Sequence, residues 1–445
     1  MSPYLDSPFR VWLRLLAPAL ALSLLASRSL HAQSLSDSVR IEGWRSDIRY
    51  YLEQMKRQHY VYSRQPLPAA LVDAANRLSG NVPRYSDERI LAEFEHLASF
   101  AGDGHTYILP FGSRRVTAHM LPLRFFLFSD GMYVIDAFPG YERWIGSKVV
   151  RVGDTPAETV IERMRPTLSA DNRFTYLWVA PPLLSFRGFL ENFADGIDGD
   201  GVSLTLRPQG AAETRIRIAP VVAPPLRGIP KLMASRLAGA PAAPMYLSDV
   251  GRNFWFRPLA DSVLYFQFNQ VMNADSESLA EFANRLDGTV RATRPRAIIV
   301  DARHNNGGNL ALLPPLIDVF HRYESDRKDG RIYVLMGRNT FSAAQFFLGD
   351  MDRYTHTIFA GEPSSSKPNF VGEETTVQLP WSGGIGSISD RYHESIPGDK
   401  REWIEPAIKY SLSSADYFAN RDPLLVRVLA DIGRRQGRGG RRQQR

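Results

Sequence analysis

The sequence predicts a multidomain α/β protein, and three observations support that class. From residue 261 onward, apolar strand-like stretches alternate with amphipathic stretches of helical spacing. Residues 35–110 carry apolar residues at helical spacing after Ser-Asp starts that suit N-caps. Residues 115–222 alternate between strand-like and helix-like runs around Gly-Asp and Ser-Asp-Gly turns. At 445 residues the chain is also too long for one ordinary core.

The first 32 residues match a secretory signal peptide. Arg10 and Arg14 precede the apolar run LLAPALALSLLA, and the segment SRSLHA predicts cleavage after Ala32. The apolar run is shorter than the roughly 20 residues that span a bilayer. We therefore expect export to a bacterial periplasm or the exterior, with no integral membrane segment after signal removal. The chain has no Cys, so packing must stabilise it without disulfides.

The net charge of +7 is concentrated at the two ends of the chain. The signal segment carries +2 and residues 433–445 carry +6, which leaves −1 for the rest. We therefore predict a basic disordered tail at 433–445 and no nucleic-acid partner.

The body between these ends divides into four predicted segments. A helical N-terminal domain covers 35–110, and a smaller mixed α/β module covers 115–222. Residues 223–250 are rich in Pro, Ala and Gly and predict a linker or covering loop. Residues 251–432 form the predicted α/β core, whose fully apolar strands indicate a sheet buried on both faces.

Ser342 lies where a predicted strand, RIYVLMG, gives way to a predicted helix, SAAQFFLGDM. This topology places the hydroxyl at the carboxyl edge of the sheet, where open α/β folds bind ligands. The free N–H groups of a helix N-terminus also favour developing negative charge. Taken alone, the position is better explained by a plain N-cap, because Ser is among the commonest residues at that position.

Three further segments carry candidate chemistry. Gly307 and Gly308 follow a strand directly, and their N–H groups could form an oxyanion hole, although a tight β-to-α turn explains them as well. His105, in a Gly-rich segment, is a candidate base at neutral pH. Lys367, 25 residues after Ser342, is a second candidate if it is buried.

Several common motifs do not occur in a suitable context. The sequence lacks the G-x-S-x-G nucleophile elbow, the HExxH zinc helix, the Walker loop and the Rossmann fingerprint. We therefore expect no metal and no cofactor.

Taken in order, the motifs resemble the tail-specific, or C-terminal processing, serine peptidases, which include the tricorn core protease and the interphotoreceptor retinoid-binding protein. The segments that carry the resemblance are DGHT (103–106), DARHNNGGN (301–309), FSAA (341–344), GEPSSSKPN (361–369), LPWSGG (379–384) and IEPAIKY (404–410). The resemblance implies a crotonase/Clp-protease-like catalytic core, a PDZ-like module at 115–222, and endopeptidase activity on polypeptides.

The resemblance also implies roles for individual residues. Ser342 takes the place of the nucleophile, and Ala343 with Gly307 or Gly308 takes that of the oxyanion-hole amides. Lys367 matches the base of Ser-Lys members, and His105 matches the base of tricorn-like members.

The choice between these two bases stays open at this stage. A lysine base needs strong desolvation, because the pKa of lysine is ordinarily about 10.4, whereas a histidine needs little shift. The spacing to Lys367 nevertheless matches the Ser-Lys members.

The sequence departs from the family pattern at two places, and a third family residue has no assigned counterpart. Gln345 stands where the family often has Glu, and Gly104 stands where tricorn-like members have Ser. Glu402 is the nearest candidate for the acidic residue that orients the histidine.

Two other interpretations remain. The chain could be an inactive member that binds hydrophobic ligands, with the Phe-rich stretches 125–128 and 341–347 lining a pocket. It could also be an envelope scaffold that binds peptides through the PDZ-like module. The sequence does not indicate an oligomeric state.

Overall fold

The computed structural model describes residues 37–197, 199–225 and 230–442. The signal peptide predicted for residues 1–32 lies outside this range. Within it, the fold is mixed α/β, as predicted, with helices and several β-sheets. No helix in the described ranges is long and apolar enough to cross a bilayer.

The α-helices of the described residues are α1 (Asp37–Gln58), α2 (Ala69–Asn81), α3 (Asp87–Ser99), α4 (Ala157–Met164), α5 (Arg173–Leu183), α6 (Arg187–Phe193), α7 (Leu279–Thr293), α8 (Pro314–Asp326), α9 (Ala343–Tyr354), α10 (Ser414–Phe418) and α11 (Pro423–Arg442). The strands are β1 (Tyr107–Ile108), β2 (His119–Met120), β3 (Leu123–Phe128), β4 (Gly131–Ala137), β5 (Lys148–Val152), β6 (Thr155–Pro156), β7 (Val202–Arg207), β8 (Thr214–Ile218), β9 (Val221–Val222), β10 (Phe254–Leu259), β11 (Val263–Phe268), β12 (Ala297–Asp301), β13 (Arg331–Met336), β14 (Ile358–Gly361), β15 (Asn369–Gln378), β16 (Ile385–Glu394) and β17 (Ile408–Lys409).

Three helices, α1 to α3, form the helical part of the chain. One of the two predicted N-caps is correct, because the Ser86 hydroxyl accepts the N–H of Arg89 at the start of α3. The other is wrong, since Ser46 lies inside α1, which already begins at Asp37. The neighbouring Asp47 is buried instead and accepts two backbone N–H groups of the loop after β15.

The module at 115–222 contains an antiparallel sheet in the order β3-β4-β5-β7-β8, with β6 paired to β5. Its core also contains apolar residues of α4, α5 and α6. Part of the segment at 223–250 covers this core, since Leu232, Tyr246 and Leu247 are buried against it.

The C-terminal part is built on a six-stranded sheet in the order β10-β11-β12-β13-β14-β17. All neighbouring pairs are parallel except β10 with β11. Apolar residues of α7, α8 and α9 cover one face, and α11 covers the other. The sheet is therefore buried on both faces, as its apolar strands predict. The carboxyl ends of β11, β12, β13 and β14 lie along one edge.

Helix α11 continues to Arg442. It therefore includes residues 433–442 of the segment for which we expected a disordered tail, and the expectation is wrong for these residues. The apolar residues Leu424, Leu425, Val428 and Ile432 fix its first part against the sheet.

Candidate active site

Ser342 lies at the start of α9, in a turn that follows β13. Its backbone has φ 56° and ψ −125°, a conformation that costs free energy for any residue except glycine. Its side chain makes no capping hydrogen bond to α9. The plain N-cap interpretation is therefore wrong, and the hydroxyl is left available in a strained turn of the kind found at functional sites.

Hydrogen bonds from neighbouring loops hold this strained turn. The hydroxyl of Thr340 donates to the carbonyl of Ala302 at 2.8 Å, and the N–H of Phe341 donates to the carbonyl of Asn305 at 3.0 Å. The N–H of Ser342 donates to the Oγ of Ser366 at 3.1 Å. The turn is thus fixed by the loops that follow β12 and β14, whose strands flank β13.

Of the two glycines, Gly307 lies against the turn that carries Ser342, whereas Gly308 lies against the backbone of Val271. Gly307 has φ 101°, and a Cβ on it would lie 2.7 Å from the Cβ of Ser342 and 2.9 Å from the nitrogen of Ala343. Its own N–H donates to the Oδ1 of Asn305 at 3.0 Å and is thereby engaged. Within the described part of the chain, the N–H groups of Gly308 and Ala343 have no hydrogen-bond acceptor. Of the predicted amides, these two are free.

His105 is buried, and its ring stacks between two phenylalanines. The centroid distance is 4.4 Å to Phe341 and 5.4 Å to Phe370. Neither ring nitrogen has a hydrogen-bond partner among the described residues. Burial lowers the pKa of His105 to about 4, although the nearby Asp103 carboxylate opposes part of this effect. The imidazole is therefore neutral at pH 7.

Asp103 organises the loop that carries His105. Its Oδ1 accepts the backbone N–H groups of His105 and Thr106 at 2.8 and 2.7 Å, and its Oδ2 lies 3.0 Å from the Nε2 of His59. The hydroxyl of Ser389 donates to Oδ1 as well. Burial alone would raise the pKa of Asp103, but the hydrogen bonds from His59 and Ser389 hold it below its usual value. Both oxygens of the Asp103 carboxylate thus accept hydrogen bonds from other groups, and the carboxylate makes no hydrogen bond to the His105 ring.

Lys367 and Glu402 form an ion pair outside the main cavity. The Nζ of Lys367 lies 3.5 Å from the Oε1 of Glu402, and the two side chains are 33% and 57% exposed. Neither residue is among those that line the cavity in the described ranges. The burial that a lysine base requires is not observed, and Glu402 does not contact His105.

Gln345 and Gly104 are both packed into the site. The Gln345 side chain is fully buried, and its Oε1 accepts the hydroxyl of Ser364 at 2.6 Å. A Cβ on Gly104 would lie 2.7 Å from the ring of Phe341, so no larger residue fits there without a shift of that ring. Both departures from the family pattern are therefore accommodated structurally.

One cavity of about 640 Å³ contains both Ser342 and His105 on its wall. Gly308 and Ala343 also line it. Most of the remaining wall is aromatic and aliphatic, and includes Phe125, Phe126, Trp178, Phe341, Phe346 and Phe370. The structure thus brings four of the predicted site residues to one space and leaves Lys367 outside.

Sequence reasoning missed several polar residues at this site. Asp171 is buried beside Gly104, Ser366 binds the N–H of Ser342, and His393 and Glu374 line the cavity. Burial raises the pKa of Glu374 and lowers that of His393. Ser366 lies in the GEPSSSKPN segment, but its contact with Ser342 is not evident from the sequence. Asp171, His393 and Glu374 stand in no motif, so only the tertiary structure reveals them.

The fold is that of the serine peptidases that the motifs resemble. In particular, the chain is similar to mature CPAF. Against CPAF in complex with lactacystin the TM-score is 0.59 with 13% sequence identity, over 86% of this chain and 96% of that chain. A second structure of mature CPAF gives a TM-score of 0.59 with 13% sequence identity, over 86% of this chain and 95% of that chain. The predicted class is therefore confirmed for the fold.

Other comparisons add little to this result. The tricorn protease gives a TM-score of only 0.39 with 12% identity, over 89% of this chain and 37% of that chain. No family model matches the sequence. No curated protein matches it either.

Proposed function

We propose that the chain is a serine endopeptidase in which Ser342 is the nucleophile. The observation that carries this proposal is the strained Ser342, whose hydroxyl does not cap its helix and shares a cavity with a neutral, buried His105. A nucleophile and a neutral base within one cavity are two parts that acyl transfer requires. The fold shared with CPAF supports the same class.

His105 is the better candidate for the general base. Its imidazole is neutral without any further change, and neither ring nitrogen is engaged in a hydrogen bond among the described residues, so the unprotonated one can accept a proton. Lys367 is partly exposed, is paired with the Glu402 carboxylate and does not line the cavity that contains Ser342. We therefore assign the base to His105 and give Lys367 an electrostatic role at the edge of the site.

The proposed reaction has two halves. His105 takes the proton of the Ser342 hydroxyl while the oxygen attacks a peptide carbonyl, and it then gives that proton to the leaving amine. Water hydrolyses the resulting acyl-enzyme with the same base. No metal or cofactor takes part in these steps.

The free N–H groups of Gly308 and Ala343 would bind the oxyanion of the tetrahedral intermediate. Both line the cavity beside Ser342 and lack an acceptor among the described residues. Each donor of this kind stabilises the transition state by about 3 kcal/mol. Gly307 has a different task, because its lack of a side chain lets the loop approach the nucleophile turn.

We also propose a location and a domain organisation. The predicted signal peptide supports export to a periplasm or the exterior, where polypeptides would be the substrates. The six-stranded sheet with helices on both faces is consistent with a crotonase/Clp-like core. The antiparallel module at 115–222 is the candidate for a PDZ-like, peptide-binding unit.

Hydrolysis of an unstructured polypeptide tests the proposal. The mature protein should cleave casein, and the Ser342→Ala variant, which differs by one oxygen atom, should not. Equal cleavage by both proteins would rule out Ser342 and point to a contaminating protease.

The residues that line the cavity favour a second candidate function, the binding of a hydrophobic ligand by an inactive member of the family. The Phe-rich stretches 125–128 and 341–347 both contribute to it, as the carrier interpretation requires. A cavity of about 640 Å³ has the size of many small-molecule sites. Saturable binding of a fluorescent fatty acid by a protein that cleaves no peptide would support this alternative.

A further inference from the structure

The proposed base lacks a partner that would orient it. In serine hydrolases a third group usually fixes the tautomer and direction of the histidine ring. Here both ring nitrogens of His105 are buried without a partner among the described residues. Asp103 is occupied by its own loop, and Glu402 is exposed and bound to Lys367. A different carboxylate is needed for this task.

Asp171 is a buried carboxylate directly beside the His105 loop. Its Oδ1 accepts the N–H of Gly104 at 3.3 Å, and its Oδ2 has no hydrogen-bond partner in the described ranges. A Cβ on Gly104 would lie 3.4 Å from that Oδ2 and 2.7 Å from the ring of Phe341. The Oδ2 of Asp171 therefore lies beside Gly104, the residue before His105. It is also close to the ring of Phe341, on which His105 stacks.

The segment around Asp171 connects the base loop with the nucleophile loop. Ser169 donates its hydroxyl to the carbonyl of Asp103. Asn172 donates its side-chain amide to the carbonyl of Ser364 at 3.2 Å, and Thr175 donates to the carbonyl of Ser365 at 2.7 Å. The next residue, Ser366, binds the N–H of Ser342. Residues 169–175 thus contact both the loop that carries His105 and the 364–366 segment that binds the N–H of Ser342.

We propose that Asp171 is the positioning residue of His105. Its Oδ2 accepts the ring N–H of the imidazole after a rotation of the His105 side chain, and the other ring nitrogen then faces Ser342 as the proton acceptor. This inference rests on the proposed peptidase function. No additional reactant is required, since the proton moves only between Ser342, His105 and the leaving group.

The electrostatics around Asp171 fit such a role. Burial and the nearby Asp103 raise the pKa of Asp171 well above its usual value, while the N–H of Gly104 and the charge of Lys367 oppose the rise. A protonated imidazole would add a second positive charge beside this carboxylate. The ionised form of Asp171 is therefore favoured at the stage of the reaction at which His105 carries the proton.

The Asp171→Asn variant separates positioning from packing. The asparagine keeps the size and the carbonyl oxygen that accepts the N–H of Gly104, but it loses the negative charge. We would measure the rate of inactivation by a fluorophosphonate, with the label located on Ser342 by mass spectrometry, between pH 4 and pH 9. The control is Asp73→Asn, which changes an exposed aspartate of α2.

For Asp171→Asn we expect a rate lower by at least about 100-fold, because the imidazolium that forms during the reaction loses its carboxylate partner. The control should match the wild type. An unchanged rate and pH profile in a folded Asp171→Asn variant would overturn the proposal and leave Asp171 a packing role. If the wild type itself is not labelled, the proposed function fails instead.

A second measurement depends neither on activity nor on that variant. Nitrogen-15 NMR of the wild type, with His105 assigned from a His105→Gln sample, reports the ring tautomer. One hydrogen-bonded tautomer at neutral pH supports the proposal. A mixture of both tautomers with rapidly exchanging ring N–H groups contradicts it.

Discussion

The ring of His105 stacks on the ring of Phe341, the residue directly before Ser342, with centroids 4.4 Å apart and planes 24° apart. This contact joins the proposed base, which lies on the loop before β1, to the proposed nucleophile turn after β13. The two loops are separated by more than 200 residues in sequence. Phe341 is therefore expected to control the distance between base and nucleophile.

Replacing Phe341 by Leu should lower activity more than stability. The leucine keeps much of the apolar volume but loses the flat surface that orients His105, so we expect kcat to fall at least tenfold while the free energy of unfolding falls by about 1–2 kcal/mol. Steady-state cleavage assays and urea unfolding measure both. Phe347→Leu is the control, because Phe347 is fully buried in the core between Phe268 and Phe320, away from the cavity. Equal kcat losses in the two variants would argue against a role for stacking.

The identity of the base predicts opposite results for two substitutions. His105→Gln should reduce kcat/KM by about 100-fold or more, since a positioned base contributes 10²- to 10⁴-fold. Lys367→Met, which keeps the length of the side chain, should retain activity within about tenfold, because it removes only a partly screened charge. Assays of both variants on one unstructured polypeptide decide the matter. A collapse of activity in Lys367→Met alone would reverse our assignment.

The pH dependence of kcat/KM should reflect the buried imidazole. Burial lowers the pKa of His105 to about 4, so the fraction of neutral base falls tenfold per pH unit below that value and is constant above it. We expect the acid limb of the profile near pH 4 and a plateau through neutrality. Initial rates measured from pH 3.5 to pH 8, with circular dichroism at each pH to exclude unfolding, test this. A limb centred above pH 8 would indicate an amine base.

Gly307→Ala should inactivate the protein through the oxyanion hole. At φ 101° the new Cβ would lie 2.7 Å from the Cβ of Ser342 and 2.9 Å from the nitrogen of Ala343, so the amide must move. Loss of one donor costs about 10²- to 10³-fold in kcat. The matched control is Gly288→Ala in α7, where nothing lies within 4 Å and a gain of about 0.5–1 kcal/mol in stability is expected. Normal kcat in a folded Gly307→Ala variant would contradict this geometry.

The sequence predicted the parts of the site that depend on local pattern. A strand, a turn and a helix around Ser342 place it at the carboxyl edge of a parallel sheet, and the two glycines follow the neighbouring strand by the same rule. The resemblance supplied the class of the fold. These predictions rest on periodicity and short motifs, which a single sequence displays directly.

Other features depend on contacts that a single sequence does not display. Asp171 lies 66 residues from His105 in sequence and in no motif, so its place beside Gly104 follows only from the packing of the 169–175 segment. The exposure of Lys367 and the engagement of the Gly307 N–H are also tertiary facts. Ser46 was a wrong N-cap because the upstream residues continue α1, which a local Ser-Asp signal cannot exclude.

Reaction with a serine-directed fluorophosphonate tests the central claim most directly. The folded mature protein should acquire one covalent label on Ser342, as mass spectrometry of the peptides would locate, and Ser342→Ala should acquire none. The labelling should disappear when the protein is unfolded in urea, since the reactivity depends on His105 and the free amides. A folded wild type that takes up no label, or equal labelling of Ser342→Ala, would contradict the account.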